Sequence, residues 1–185
     1  GAILVAGCLG TGQEKNSSSG KVWHVGILSG MSFFADTEDG FREKMAYPLI
    51  LDMAIHHVDL MRFFLGRDIV AVQARSIAAP WNWFKGDAAV SANLEFEGGA
   101  TGNYFSSWVA RGAETTWNGT WRIEGSEGVL VWDGTGIYLS DHPDRRRKQR
   151  LVAWSGGSQA HLLAAFARSI ATGEEAETCG ARNLN

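Results

Sequence analysis

The stretch LDMAIHHVDLMRFFLG, residues 51–66, sets two aspartates and two histidines into an otherwise apolar segment. Pro48 stands at a position where a helix can begin. Gly66 is typical of the residue that ends one. The pattern therefore predicts a helix from about Leu49 to Leu65.

The polar residues of this helix are not scattered around it. At about 100° per residue, Asp52, His56 and Asp59 share one stripe, which Phe63 continues. His57 points to a different side, among apolar neighbours. We therefore expect a helix that is buried nearly all round except along this stripe, with His57 as a core or interface histidine.

Three interpretations of Asp52 and His56 follow from the residues alone. Asp52 could complement the helix dipole while His56 and Asp59 are ordinary surface residues. Alternatively, Asp52 could accept the imidazole N–H of His56 in a cleft and make it a general acid/base. A shared metal ion is the third option, although His24, His142 and His161 are isolated and supply no further ligands.

The rest of the chain is dominated by strand patterns. Alternation of apolar and polar residues predicts an antiparallel meander with a Gly98-Gly99 hairpin turn, and an amphipathic helix predicted at 158–173 follows it. This order favours an α+β fold in which helices pack on one face of a large, mostly antiparallel open sheet. The predicted strands are 2–7, 21–30, 68–78, 88–99, 100–110, 115–125, 128–134, 136–141 and 149–154.

Composition narrows the function classes. The chain has 185 residues with a net charge of −3, so nothing attracts it globally to nucleic acid or to a membrane surface. The basic run at 144–150 is predicted to be a solvated hairpin turn. Cys8 and Cys179 have neither metal spacing nor a disulfide framework, which indicates a reducing, cytoplasmic compartment. The apolar opening, residues 1–10, is too short to span a bilayer, so we expect a soluble protein.

Several aromatic residues are candidates for contact with a ligand. Trp81 and Trp83 lie in the loop 79–87, where an exposed indole could stack on a sugar ring. A hydrophobic plug or an oligomer contact explains them equally well. Tyr104 lies in the segment 104–112, where alternate residues of a strand share one face and some could reach a cleft.

The helix and the strand after it, residues 51–74, resemble the C-terminal domain of the glucose-fructose oxidoreductase / inositol dehydrogenase / MocA-like family. The family segment has an Asp, three residues and a His, then an apolar helix end and a Gly. The likeness continues in the hairpin 90–108, in the strand pair 121–133 with its Gly-Ser-Glu-Gly turn, and in the late helix 162–178. The resemblance covers about residues 20–185.

The resemblance implies a dihydrodipicolinate-reductase-like C-terminal fold that binds substrate and assembles a homodimer or homotetramer through the open sheet face. It implies hydride transfer between NAD or NADP and a sugar, polyol or related secondary alcohol. Carried over by position, His56 is the general acid/base on the substrate hydroxyl, and Asp52 orients it or binds substrate. Asp59, Trp81, Trp83 and Tyr104 are weaker substrate-binding candidates.

The sequence departs from the family in its first part. AILVAGCLGTG, residues 2–12, has its glycines in the wrong order for a dinucleotide loop, and a Ser-rich loop follows instead of a helix. The Glu-Lys-Pro motif is also absent. We therefore expect residues 1–20 to be a short strand and loop at the junction with a missing Rossmann domain, and 21–185 to form the substrate and oligomerisation domain.

This division implies that the isolated chain binds neither a cofactor nor a metal ion and is inactive alone. The alternative is a non-catalytic binding or scaffolding module with the same sheet fold.

Overall fold

The computed structural model describes residues 2–4, 22–31, 42–112, 114–151 and 158–175. The chain divides into two compact units, residues 1–149 and 150–185, which are described separately. The first unit holds the sheet and the helix of the opening stretch. Cys8 and Cys179 lie outside the described residues, and the predicted domain boundary at residue 20 stays a prediction.

The described residues of the first unit form one sheet of nine strands in the order β1-β3-β4-β5-β2-β6-β7-β8-β9. Neighbouring strands are antiparallel except β2 and β5, which run parallel from His24 opposite Thr101 to Gly30 opposite Ser107. The strands are β1 Ala2–Leu4, β2 Val22–Gly30, β3 Ile69–Ile77, β4 Ala89–Phe96, β5 Thr101–Ser107, β6 Thr120–Gly125, β7 Gly128–Trp132, β8 Ile137–His142 and β9 Arg145–Lys148.

This topology confirms the α+β class with a mixed, mostly antiparallel sheet. The expectation of an uninterrupted antiparallel meander is wrong, because β2 inserts between β5 and β6. Local alternation shows which residues share a face of a strand, but not which strands are neighbours in the sheet. It therefore cannot predict that β2 pairs with strands that follow it by more than seventy residues.

The two faces of the sheet have different surroundings. Along β5, the residues Gly102, Tyr104 and Ser106 are buried while the intervening Asn103 and Phe105 are exposed. The buried face carries the hydrophobic core together with the helix. We call the opposite side the open face; its centre consists of Leu28, Asn93, Asn103, Phe105 and Arg122.

The predicted helix is present but begins irregularly. A π-helical segment, Ile50–Ala54, leads directly into α1, Ile55–Leu65. Gly66 ends α1 in the left-handed region at φ 59°, where its N–H donates to the carbonyl of Arg62 at 2.8 Å. Since a π-helix advances by fewer degrees per residue, the ideal α-helical phase does not apply across residues 50–54.

Only one side of the helix packs on the sheet. Met53, His57 and Met61 are essentially inaccessible, whereas Ile55 is 53% exposed and Phe64 is 44% exposed, although neither belongs to the predicted polar stripe. The expectation of a helix buried nearly all round is therefore wrong for the described residues. The apolar composition of the stretch exceeds what one sheet face can cover.

The core lies between the sheet and this helix. Its members come from β2, β4, β5 and β6, from the helix and from the loops at one end of the sheet. The largest fully buried side chains are Trp108, Trp121, Phe96, Leu49, Met53 and Met61.

The basic run is a strand and not only a turn. β9 pairs with β8 as an edge strand, and the turn before it is formed by residues 143–144. Asp141 pairs with Arg145 at 2.8 Å and with Arg147 at 2.5 Å. Positive charge along an edge strand disfavours pairing with a further strand, which explains why this edge tolerates exposure.

The strand predicted at 149–154 is wrong for residues 149–151, which have no strand structure, and residues 152–157 lie outside the described part of the chain. In the second unit, α2 (Ser158–Thr172) confirms the predicted late helix. Among the described residues, neither helix is long and apolar enough to cross a membrane.

Substitutions at two glycines with positive φ distinguish the cost of backbone strain from the cost of a steric collision. Gly66 at φ 59° has open space where a Cβ would stand, but a Cβ on Gly128, at φ 140°, would lie 2.4 Å from the Ser140 carbonyl oxygen. We expect Gly66→Ala to lower the free energy of unfolding by about 1 kcal/mol and Gly128→Ala by about 3 kcal/mol or more. Urea unfolding measures both, and equal losses would contradict the collision at the β7–β8 pair.

Candidate functional site

The loops that carry the candidate residues meet at one end of the sheet, where the parallel strands β2 and β5 finish. Met31 follows β2 and its N–H donates to the carbonyl of Ser107 at 2.9 Å. Thr115 in the next loop donates its N–H to the carbonyl of Gly30 at 2.8 Å. The loop 78–88 joins this end because Trp108 N–H donates to the Ala88 carbonyl at 2.9 Å.

His57 is fully buried, and both of its ring nitrogens are occupied. Nε2 lies 3.1 Å from the carbonyl oxygen of Trp117, and Nδ1 lies 3.1 Å from the hydroxyl of Tyr104. A carbonyl oxygen can only accept, so Nε2 carries the hydrogen. Neutral Nδ1 then accepts the Tyr104 hydroxyl hydrogen, which fixes the tautomer of the ring.

The surroundings of His57 favour its uncharged form. Burial lowers the pKa of His57 from its ordinary value, the Trp117 carbonyl acts in the opposite direction, and the neighbouring His56 lowers the pKa further. Burial also raises the pKa of Tyr104 to about 12, against a hydrogen bond from Ser106. The pair is therefore neutral around pH 7, as a buried polar pair should be.

His56 has the opposite environment. Its side chain is exposed, and its ring centroid lies 5.5 Å from the indole of Trp117 at an interplanar angle of 52°. The same indole lies 5.7 Å from the ring of His57. An exposed imidazole against an indole provides a proton-exchanging group beside an apolar wall, which suits a ligand with hydroxyl groups and C–H faces.

The predicted hydrogen bond between Asp52 and His56 is not formed in this structure. Asp52 lies in the π-helical segment and pairs with Arg42 at 2.9 Å, both side chains being about 40% exposed. Asp59 lies 3.8 Å from Arg62 on the same helix. The structure thus keeps these carboxylates on the helix surface, paired with arginines.

The loop aromatics differ in accessibility. Trp81 is exposed, donates its indole N–H to the Val109 carbonyl at 2.7 Å and lies 4.7 Å below the Arg111 guanidinium. Trp83 stacks on buried Phe84 with ring centroids 3.9 Å apart. Tyr104 is buried and contacts His57, so it lies beneath the surface and not on it.

Trp117 lies beside His56 but is not among the site residues predicted from the sequence. Residues 115–125 were interpreted as one strand, but the strand begins only at Thr120. Asn118-Gly119 is a strong turn signal that would have placed Trp117 on a loop. What no local signal could supply is its place against His56, sixty-one positions earlier.

Metal ligands are not grouped in the described part of the chain. No three His, Cys, Asp or Glu side chains there lie close enough to share an ion.

The lowered pKa of His57 predicts a pH dependence of stability. In the unfolded chain the His57 imidazole binds a proton near its ordinary pKa of 6.5, and in the folded chain it does so only at lower pH. The contribution of His57 to the free energy of unfolding should therefore be fully present above pH 6.5. It should fall as the pH drops below that value, by at most about 1.4 kcal/mol per pH unit. In His57→Gln this part of the slope should disappear from urea unfolding curves, whereas the surface variant His142→Gln should retain it. An unchanged slope in His57→Gln would contradict a neutral buried imidazole.

Comparisons with known proteins agree with this architecture. The uncharacterized protein y4oX of Sinorhizobium fredii is 30% identical over 129 residues, which are 69% of this chain and 36% of that protein. An oxidoreductase from Agrobacterium radiobacter, solved in complex with NAD+, L-tartaric acid and magnesium, superposes with a TM-score of 0.72 at 22% identity. The match covers 89% of this chain and 51% of that one.

A levoglucosan dehydrogenase in complex with NADH and levoglucosan superposes with a TM-score of 0.69 at 20% identity, covering 88% of this chain and 53% of that one. At these identities the solved structures establish the fold alone. The chain spans about half the length of these structures and about a third of y4oX.

The model of the GFO/IDH/MocA C-terminal domain matches residues 15–131, which include the helix with both histidines, the parallel strand pair and the loop of Trp117. The chain belongs to the GFO/IDH/MocA family, as its C-terminal domain.

Proposed function

We propose that this chain is the substrate-binding and oligomerisation domain of an NAD(P)-dependent oxidoreductase acting on a sugar, polyol or related secondary alcohol. The observation that carries the proposal is the exposed imidazole of His56 beside Trp117. Its location on the family's helix adds weight. The ligands named with the superposed structures, L-tartaric acid and levoglucosan, are hydroxylated compounds, and both structures hold a nicotinamide cofactor.

His56 is the general acid/base of this proposal. In the oxidising direction it takes the proton of the substrate hydroxyl as the C–H bond at the same carbon is broken, and in the reverse direction it returns the proton to the carbonyl oxygen. Its exposure lets it exchange that proton with solvent afterwards. The buried His57, whose two nitrogens are already committed, cannot reach a ligand.

The cofactor does not fit the described residues. Among them, no strand leads through a glycine-rich loop into a helix N-terminus, which is the arrangement that holds a dinucleotide. We therefore assign NAD or NADP to a separate Rossmann domain and derive no step through it here. The residues of this chain bind and orient the alcohol and handle its proton.

Asp52 is assigned to the substrate side of the same site. Its ion pair with Arg42 holds the carboxylate at the surface of the π-helical segment. Such segments often occur at functional sites. A carboxylate held there can accept a hydrogen bond from a substrate hydroxyl or, after a small side-chain movement, from His56.

The open face is proposed as the contact between copies of the chain. Leu28 and Phe105 are 53% and 40% exposed at its centre, beside the Asn93–Asn103 pair and Arg122, which pairs with Glu124. They line a shallow depression of about 300 Å³. Exposed aliphatic and aromatic side chains with satisfied polar neighbours have the composition of an interface core.

Replacing His56 tests the catalytic assignment. In the enzyme formed with its nucleotide-binding domain, we expect His56→Asn to lower kcat by about 10²–10⁴-fold, because no other exposed base stands at Trp117. Formation of reduced nicotinamide measures turnover, and cofactor affinity should stay within about twofold.

His142→Asn is the matched control, since His142 is exposed on β8, and it should leave kcat unchanged. Full turnover in His56→Asn would refute the assignment. No turnover in the unmodified enzyme with any polyol would favour the non-catalytic scaffolding module.

A charge at the centre of the open face tests the assembly. We expect Phe105→Glu to convert the oligomer to a monomer, because a buried unpaired carboxylate costs several kcal/mol. Leu51→Glu, on the helix side and 54% exposed, should leave assembly intact. Light scattering coupled to size exclusion gives the mass, and a monomeric wild-type chain would contradict the proposed interface.

A further inference from the structure

We propose that Trp117 forms the wall of the substrate site against which the C–H face of a cyclic polyol packs, and that His57 is the positioning residue that holds this wall beside His56. The proposal rests on the function proposed above and specifies its ligand as ring-shaped. Neither residue was among the predicted site residues.

Trp117 is exposed but its backbone is held. Its side chain is 47% exposed, so about half of its surface is accessible to a ligand. The turn around it is closed by the Gly119 N–H, which donates to the Thr116 carbonyl at 2.9 Å. The indole N–H of Trp121 donates to the Asn118 carbonyl at 2.7 Å. An accessible indole on a held backbone can stack on a ligand with little loss of conformational entropy.

His57 supplies the bond that comes from the helix. Its Nε2–H donates to the Trp117 carbonyl across sixty positions of sequence, and its Nδ1 accepts from Tyr104 on β5. The Trp117 carbonyl, which can only accept, fixes the tautomer with hydrogen on Nε2, and the Tyr104 hydroxyl then donates to Nδ1. The ring of His57 also lies against the indole, with centroids 5.7 Å apart.

The two neighbouring histidines therefore contact the same indole and have complementary roles. His57 lies beneath Trp117 and holds its loop, while His56 lies beside it at the surface. A ligand hydroxyl at His56 places the adjoining carbon skeleton next to the indole. Ring-shaped polyols present a continuous C–H face there, whereas a short acyclic polyol such as glycerol does not.

The positioning claim can be tested without ligand. In the chain labelled with 5-fluorotryptophan, the Trp117 fluorine resonance is assigned by its loss in Trp117→Phe. Long-range proton–nitrogen spectra should show His57 with hydrogen on Nε2, and His56 ring protons shifted upfield by the indole. A His57 with hydrogen on Nδ1 in the wild-type chain would overturn the proposal without any variant.

Variants then separate the hydrogen bond from simple packing. In His57→Leu the Trp117 resonance should move toward that of a free indole, and the His56 upfield shift should be lost. His57→Gln keeps a donor at the same position and should preserve both signals. His24→Leu removes a histidine of β2 that is bonded to Thr101, and it should change neither signal. Unchanged signals in folded His57→Leu would overturn the positioning role.

Ligand titrations test the wall itself, with myo-inositol and D-glucose as cyclic probes and glycerol as the acyclic probe. The cyclic probes should move both the Trp117 and His56 resonances. Trp117→Ala, which keeps the carbonyl bonded to His57, should weaken their binding by about two- to tenfold, the effect of uncovering a few tens of square ångströms of C–H surface. Glycerol binding should stay unchanged.

The outcomes distinguish this proposal from the one on which it rests. Cyclic probes that move His56 but not Trp117, or that bind Trp117→Ala as tightly, overturn the wall and leave the function at His56 intact. Probes that move neither resonance overturn both.

Discussion

The buried imidazole of His57 is the interaction on which the described site depends. A histidine without solvent must satisfy both ring nitrogens, and here one partner is on β5 and the other is in the loop before β6. A single side chain thus joins the helix, the centre of the sheet and the loop at its end. Removing either partner would leave a buried polar atom unsatisfied, which costs more than the hydrogen bond itself contributes.

The second constraint is the parallel pairing of β2 with β5 inside an otherwise antiparallel sheet. Both strands finish at the same end, so the chain leaves the sheet twice at neighbouring places. The loop after β5 is held to the end of β2, since the Thr115 N–H donates to the Gly30 carbonyl. The candidate side chains gather at this end because two adjacent strand ends and the helix start bring three irregular segments together.

Much of the fold was predictable because it follows from local pattern. The helix, its Gly66 cap, the Gly98-Gly99 turn and the strands from β3 to β8 all follow from periodicity and turn residues. The burial of His57 was predictable too, since its helical neighbours are apolar. The predictions failed where one local sequence pattern is compatible with two structures. The basic run 144–150 can be a turn or an edge strand, and only the pairing partner β8 distinguishes them.

By itself, the sequence determined the α+β class, the separation of the two histidines and the family to which the helix motif points, because each depends on residue types at short, fixed spacings. Only the tertiary structure decided which aromatic residue stands beside His56 and that Asp52 pairs with Arg42. It also decided that β2 lies between β5 and β6. These are contacts between segments distant along the chain or across an irregular helical turn, and they are selected by packing of the whole core. No local periodicity encodes such a choice, because many partners are equally compatible with the same alternating pattern.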